Sequence, residues 1–358
     1  MRPLQYICRP SSLLEIFRAL RIDIQCHLFP RSFIKELSKP GSQLRVADPD
    51  PSGRRVILDS RTGDEVTYFI EDSTYVDPQK HIKDMDDYGI DIQVLSLPPP
   101  GVDRLADPKE ASRLSRLIND ELAGVVQKYP DRFAGLATIP LNDPTLALDE
   151  IKRSIEDLGF KGIVISSNTL GHFYDSAEFD PVFSALERYG RPVFMHPTEP
   201  VTARSIGQDY KLTLIYGWPF DTTLSISRLA LSGTLERFPG LKLIAAHGGG
   251  MVPFFQARIA MLARVAAGKG KGIVPKDPVA PFSKQLYYDA AFFDPTSLEL
   301  LVKFAGAERV LYASDYPFGQ NLGRNCYDAS IKMMEDARLD PADKEKIYSG
   351  NLQKMMKL

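Results

Sequence analysis

The sequence predicts a single (β/α)8 TIM barrel, an α/β fold of eight parallel strands alternating with helices. Two observations carry this. Short apolar, β-branched runs recur along the chain, and a segment with helical spacing follows each of them. The runs are Arg21–Gln25, Asp91–Leu97, Phe133–Ile139, Gly162–Ser166, Pro192–Met195, Leu241–Ala246, Leu286–Ala290 and Val310–Ala313. Runs without polar alternation, such as Leu243-Ile244-Ala245-Ala246, suit parallel strands covered on both faces. Eight β-then-α units over about 300 residues favour a closed barrel over an open doubly wound sheet.

Between the strands, three helices announce their starts. Asp143-Pro144 pairs a cap residue with a proline at the first helical position, and Ile151, Ile155 and Leu158 follow at core spacing until Gly159. Asp180-Pro181 repeats the device before Val182, Phe183 and Leu186, with Gly190 as the stop. Asp294-Pro295 repeats it before Leu298, Leu301 and Val302.

Two stretches fall outside the rhythm. Residues 1–20 read as an extension beyond the main fold, with a short helix from Ser12 to Leu20; a start codon placed too early explains them equally well. Residues Ser38 to Val76 carry turn clusters, Asp48-Pro49-Asp50-Pro51-Ser52-Gly53 and Thr62-Gly63-Asp64, around alternating runs such as Arg55-Val56-Ile57-Leu58. This predicts a β-hairpin inserted after the first strand, at the barrel end where active sites form. A lid and a decorative hairpin are both open readings. The remainder, 21–358, reads as one domain.

Composition narrows the function. Forty-four basic residues against 46 acidic ones give a net charge of −2, with no Lys/Arg block. That excludes an electrostatic footprint for nucleic acid or an anionic membrane. No run approaches the roughly 20 apolar residues of a membrane span, and the N-terminus lacks the apolar core of a secretion signal. Three cysteines, Cys8, Cys26 and Cys326, make no disulfide framework, which points to a reducing cytoplasm.

The ends of the strands are more telling. Strand one ends Gln25-Cys26-His27, strand five Met195-His196-Pro197, strand six Ala246-His247-Gly248, and strand eight Ser314-Asp315-Tyr316. Three of the five histidines thus fall where an apolar strand meets its loop. A lone histidine there is more often a core residue, but strand ends of a barrel converge on one point. Neutral imidazoles and a carboxylate suit one divalent cation, Zn²⁺ first and Mn²⁺ or Fe²⁺ as alternatives, and no organic cofactor is expected. His81, in a helical run, and His172, in a loop, read as solvent-facing.

Taken in order, these ends and several further marks resemble the amidohydrolase superfamily, in the branch of aminocarboxymuconate-semialdehyde and hydroxybenzoate decarboxylases. The marks are Ile22-Asp23, Asp84-Met85-Asp86, Asn119-Asp120, Pro130-Asp131-Arg132-Phe133, Gly159-Phe160-Lys161-Gly162, His247-Gly248-Gly249-Gly250 and Gly350-Asn351. The resemblance covers residues 21 to 355. It implies that His27, His196 and Asp315 bind metal, that Asp315 also handles protons, and that His247 acts on substrate or water. It implies further that Arg258 reaches a neighbouring subunit's substrate carboxylate, hence a homodimer. A helix-surface arginine is the alternative for Arg258.

One departure concerns Gln25, where the family places histidine or glutamate. Its carbonyl is a neutral, weaker donor. The arginine expected in the insertion could be Arg54, Arg55 or Arg61. Phe194, Phe292, Phe293 and Phe318 are candidates for a ring pocket, with Phe292 taken as substrate-binding; packing is the commoner role.

The expected reaction is non-oxidative decarboxylation of a small aromatic or unsaturated (hydroxy) carboxylic acid. His247 or Asp315 would deliver the proton. Hydrolysis or hydration of a lactone, amide or enol acid by the same site is the alternative. A metal-poor barrel serving as a binding protein is a third reading.

Overall fold

The computed structural model describes residues 20–206, 209–267 and 277–358. The extension therefore lies outside the described residues, apart from Leu20. Strands β1 (Ile22–His27), β5 (Ile92–Ser96), β6 (Phe133–Thr138), β7 (Gly162–Ser166), β8 (Val193–His196), β9 (Leu243–Ala245), β10 (Tyr287–Asp289) and β11 (Val310–Leu311) pair in that order. All neighbours are parallel. The ring closes where Ile24 N–H donates to Tyr312 O at 3.1 Å and His27 N–H to Tyr316 O at 2.8 Å. Every expected barrel strand is present.

Inside the ring, Ile22, Ile24, Val94, Leu136, Phe194 and Ile244 fill the interior, and a larger apolar layer packs strands against helices. Burying one such side chain contributes about 1.5–3 kcal/mol, so the barrel is stabilised chiefly by apolar area. Two of the resemblance's marks act as staples. Asn119 bonds both the N–H and the C=O of Thr138, at 2.9 Å each. Arg132 donates to the carbonyls of Asp91 and Ile90.

The helices start as their caps predict, with one exception. Asp143 accepts from Thr145 and Leu146 N–H, and Asp294 from Ser297 N–H. Asp180 caps nothing, because it lies inside the helix Asp180–Tyr189 and its carboxylate is taken by Arg237 at 2.8 Å. Among the described residues no helix is long and apolar enough to cross a membrane.

After β1 come a helix, Arg31–Leu37, and then the insertion. The insertion is an antiparallel sheet of β2 (Leu44–Val46), β3 (Arg54–Asp59) and β4 (Glu65–Ile70), one strand more than a hairpin. It stands at the C-terminal mouth of the barrel, where the Tyr68 ring meets Phe318 at 6.3 Å.

His81 corrects an expectation. It is fully buried, with Nδ1 at 2.7 Å from Gln93 Oε1 and Nε2 at 2.5 Å from Thr74 O. The helix Pro78–Tyr88 turns His81, Asp84 and Met85 inward, so these polar side chains occupy its buried face. His172 is exposed, as expected.

Candidate active site

Four strand ends bring the predicted residues together. His27 closes β1, His196 closes β8, His247 follows β9, and Asp315 lies beyond β11. Ligand atoms of His27, His196 and Asp315 all lie within 4.8 Å of one another. His27 Nε2 is 3.2 Å from Asp315 Oδ1. The His196 ring stands 5.0 Å from that of His27 and 5.5 Å from that of His247.

The protonation pattern of His196 follows from one contact. Its Nδ1 is 2.7 Å from Pro197 O, which can only accept, so Nδ1 carries the hydrogen. Nε2 then bears a lone pair, and that atom is buried with no partner. Burial first, and then the neighbouring imidazoles His27 and His247, hold its pKa well below the ordinary histidine range. A neutral imidazole with a bare buried nitrogen is the form a cation requires. On the other flank, His27 Nδ1 lies 3.2 Å from Ser96 Oγ, which orients that ring in the same sense.

Gln25 sits between the two proposed proton-handling groups. Its Nε2 donates to Asp315 Oδ1 at 3.0 Å and is 3.3 Å from His247 Nε2. The carboxylate fixes the amide's orientation, since turning the amide over would set oxygen against oxygen. Gln25 Oε1 is left buried without a partner. For Asp315 burial acts upward, but the His27 hydrogen bond and the nearby imidazoles outweigh it and hold the carboxyl below its usual value. The residues present therefore fit a divalent cation: two imidazoles, one of them with a bare buried nitrogen, and a carboxylate.

His247 and Asp315 share a backbone oddity. Their φ angles are 53° and 63°, in the left-handed region that ordinary residues avoid at about 1–2 kcal/mol. Each is held by a buried aspartate. Asp23 accepts from Ser314 N–H at 3.1 Å and from the Ser314 hydroxyl. Asp289, at the end of β10, accepts the His247 N–H at 2.6 Å and the Ala291 N–H at 3.2 Å. Burial pushes the Asp289 carboxyl up to about 8. The sequence reading passed over Asp289, although it ends an apolar run just as Asp315 does.

The remaining candidates separate. Phe318 meets His27 edge-on at 5.6 Å and also packs on Tyr75 at 5.4 Å. Phe194 is inside the barrel interior, Phe293 is 38% exposed, and Phe292 lies against Gly248 beside His247. Arg258 is exposed on the helix Val252–Ala267. Arg54, Arg55 and Arg61 pair with Glu65, Glu71 and Asp59. The buried arginine nearby is Arg104, which the sequence reading did not single out; it bridges Asp59 and Glu199.

Residues 22–357 match the amidohydrolase family. The chain belongs to that family. It is 31% identical to 2-amino-3-carboxymuconate-6-semialdehyde decarboxylase of Dictyostelium discoideum over 93% of this chain and 90% of that one. Among solved structures, 5-carboxyvanillate decarboxylase of Sphingomonas paucimobilis superposes with a TM-score of 0.80 at 26% identity, covering 95% of this chain and 100% of that one. A dihydroxybenzoic acid decarboxylase of Polaromonas, solved with manganese and 2-nitroresorcinol, superposes with a TM-score of 0.73 at 27% identity, covering 95% and 98%. These relatives support the expected activity class, a metal-dependent carbon–carbon lyase that removes carboxyl groups.

Proposed function

We propose that this amidohydrolase decarboxylates an aromatic or unsaturated hydroxy acid without an oxidant, using a metal held by His27, His196 and Asp315. The observation that carries the metal assignment is the bare, buried Nε2 of His196 facing two further ligand-type groups. Zn²⁺ suits two imidazoles and a carboxylate, and Mn²⁺, present in the Polaromonas structure, is the alternative. Such a cation supplies an electrophile for a substrate hydroxyl or carboxylate. Gln25 offers its unpartnered Oε1 as a neutral fourth donor.

The protein's own groups do the rest. His247, which burial keeps below its ordinary pKa, would take up a proton from solvent and, together with Asp315, pass it to the carbon that loses CO₂, so that the electron pair of the broken C–C bond ends in the new C–H bond. Phe292 and Phe318 flank the ring of the substrate. Arg258 serves the site of a second copy. The exposed apolar side chains around it, Phe254 at 77%, Met261 at 58% and Val265 at 53%, support a homodimer through this face. Buried free thiols at Cys26 and Cys326 support a cytoplasmic setting.

The test combines metal analysis with isotope labelling. Purified protein should hold close to one transition-metal ion per chain, as a single-metal site requires, and His196→Ala should hold none and release no CO₂. His247→Asn should keep the metal while turnover falls about 10²–10⁴-fold. Turnover in D₂O should leave deuterium on the carbon that lost CO₂. Solvent ¹⁸O in the product without CO₂ would replace decarboxylation with hydrolysis.

A further inference from the structure

Beside the cluster of His27, His196 and Asp315, between the C-terminal ends of β5, β6, β7 and β8, lies a small cavity. His196 forms part of its wall, and the rest mixes apolar Leu97 and Ile165 with polar Thr138, Ser166 and Thr169. Its room is about 30 Å³. That is the space of one or two waters, since a single water needs about 10–15 Å³ on this measure. A polar substituent of a substrate fits there.

One charged side chain lines this cavity, Asp103, and neither Lys nor Arg does. Asp103 is 7% exposed. The Thr198 hydroxyl donates to its Oδ2 at 2.6 Å. Its Oδ1 lies so close to Gly101 that a Cβ there would approach to 2.6 Å, so the carboxyl occupies a place that only glycine leaves free. The neighbouring Arg104 is engaged by Asp59 and Glu199, and among the described residues no cation pairs with Asp103.

We infer that Asp103 determines specificity by accepting a hydrogen bond from a donor substituent of the substrate, a phenolic hydroxyl or an amino group. The inference rests on the decarboxylase reading above. A buried carboxyl in this cavity disfavours the substrate's own carboxylate there, which leaves the cavity to a neutral donor substituent. The same carboxyl, already bonded by the Thr198 and Ser166 hydroxyls, keeps further acceptor capacity, and a donor that fills the cavity adds a bond that an analogue lacking it cannot make.

The experiment uses the metal-loaded enzyme and measures CO₂ release from 2-hydroxybenzoate and from the dihydroxybenzoates that add one hydroxyl to it. At least one dihydroxybenzoate should exceed the parent roughly tenfold or more in kcat/KM, as expected where a site is built to bond a hydroxyl. Asp103→Leu and the smaller Asp103→Ser should reduce that preference to below about threefold, with metal content unchanged; Asp103→Asn, which keeps an acceptor, should retain part of it. A preference that survives both Leu and Ser, or a wild-type enzyme without preference, overturns the inference and leaves the decarboxylase standing. No CO₂ from any of these acids overturns the inference and the aromatic half of the decarboxylase reading together, leaving only unsaturated acids as substrates.

Discussion

Strands β1 and β6 of the barrel bury all six of their residues, whereas β3 of the insertion buries only Ile57 and Asp59. One of those two is a carboxylate. Asp59 is held by Arg61 at 2.8 Å and Arg104 at 2.9 Å, and Arg104 in turn reaches Glu199 just beyond β8. Aromatic contacts complete the joint, Phe69 on Phe29 at 5.5 Å and Tyr68 on Phe318. The barrel thus depends on apolar area, which is indifferent to pH, while the insertion docks through a few charges whose loss is felt locally.

The largest test of this contrast is Arg104→Met. It leaves buried Asp59 with Arg61 alone, and the expected cost is about 2–3 kcal/mol, below the usual toll of fully orphaning a buried charge. Hydrogen exchange should rise across residues 44–70 while β6 and β7 keep their protection. An equal rise in both regions would show that the two are one cooperative unit.

Acid offers a second handle. Burial alone would raise the Asp59 carboxyl, but Arg61 and Arg104 together bring it down from 3.8 to about 2. A depressed carboxyl contributes stability above its unfolded value, and this is lost as pH falls from about 4 towards 2, on the order of 2 kcal/mol. Asp59→Asn should be less stable at pH 7 and show a flatter denaturant midpoint over that acid range. A wild-type slope in the variant would assign the acid sensitivity elsewhere.

The smallest effect should come from Arg54→Ala. Arg54 pairs with Glu65 and covers the Tyr68 ring at 4.4 Å, but the ion pair is partly exposed. The expected loss is about 0.5 kcal/mol by thermal melting. A loss of several kcal/mol would mean that surface charge, and not the buried joint, fastens the insertion.

The same contrast explains what could be read in advance. Parallel strands buried on both faces leave continuous apolar runs, so all eight barrel strands were legible. The three-residue β2 was not, because Leu44-Arg45-Val46 is too short to show a period. His27, His196, His247 and Asp315 were legible as polar residues ending apolar strands. His81 was misjudged because its partners, Gln93 and Thr74, come from other segments, and no local pattern distinguishes a satisfied buried imidazole from a solvated one. Asp103 and Arg104 were invisible for a related reason: their roles depend on Thr198, Asp59 and Glu199, remote in sequence.

The turn at the end of β9 has a consequence for redesign. His247, Gly248, Gly249 and Gly250 all have positive φ, and side chains added at the three glycines would strike Phe292, Tyr288 and Pro219. Position 247 is therefore the one place in this turn that can display a side chain. A mutant library spread over it would return mostly misfolded protein. Diversity aimed at new substrates belongs instead on the strands of the insertion, where no residue has positive φ and the chemistry at His247 stays untouched.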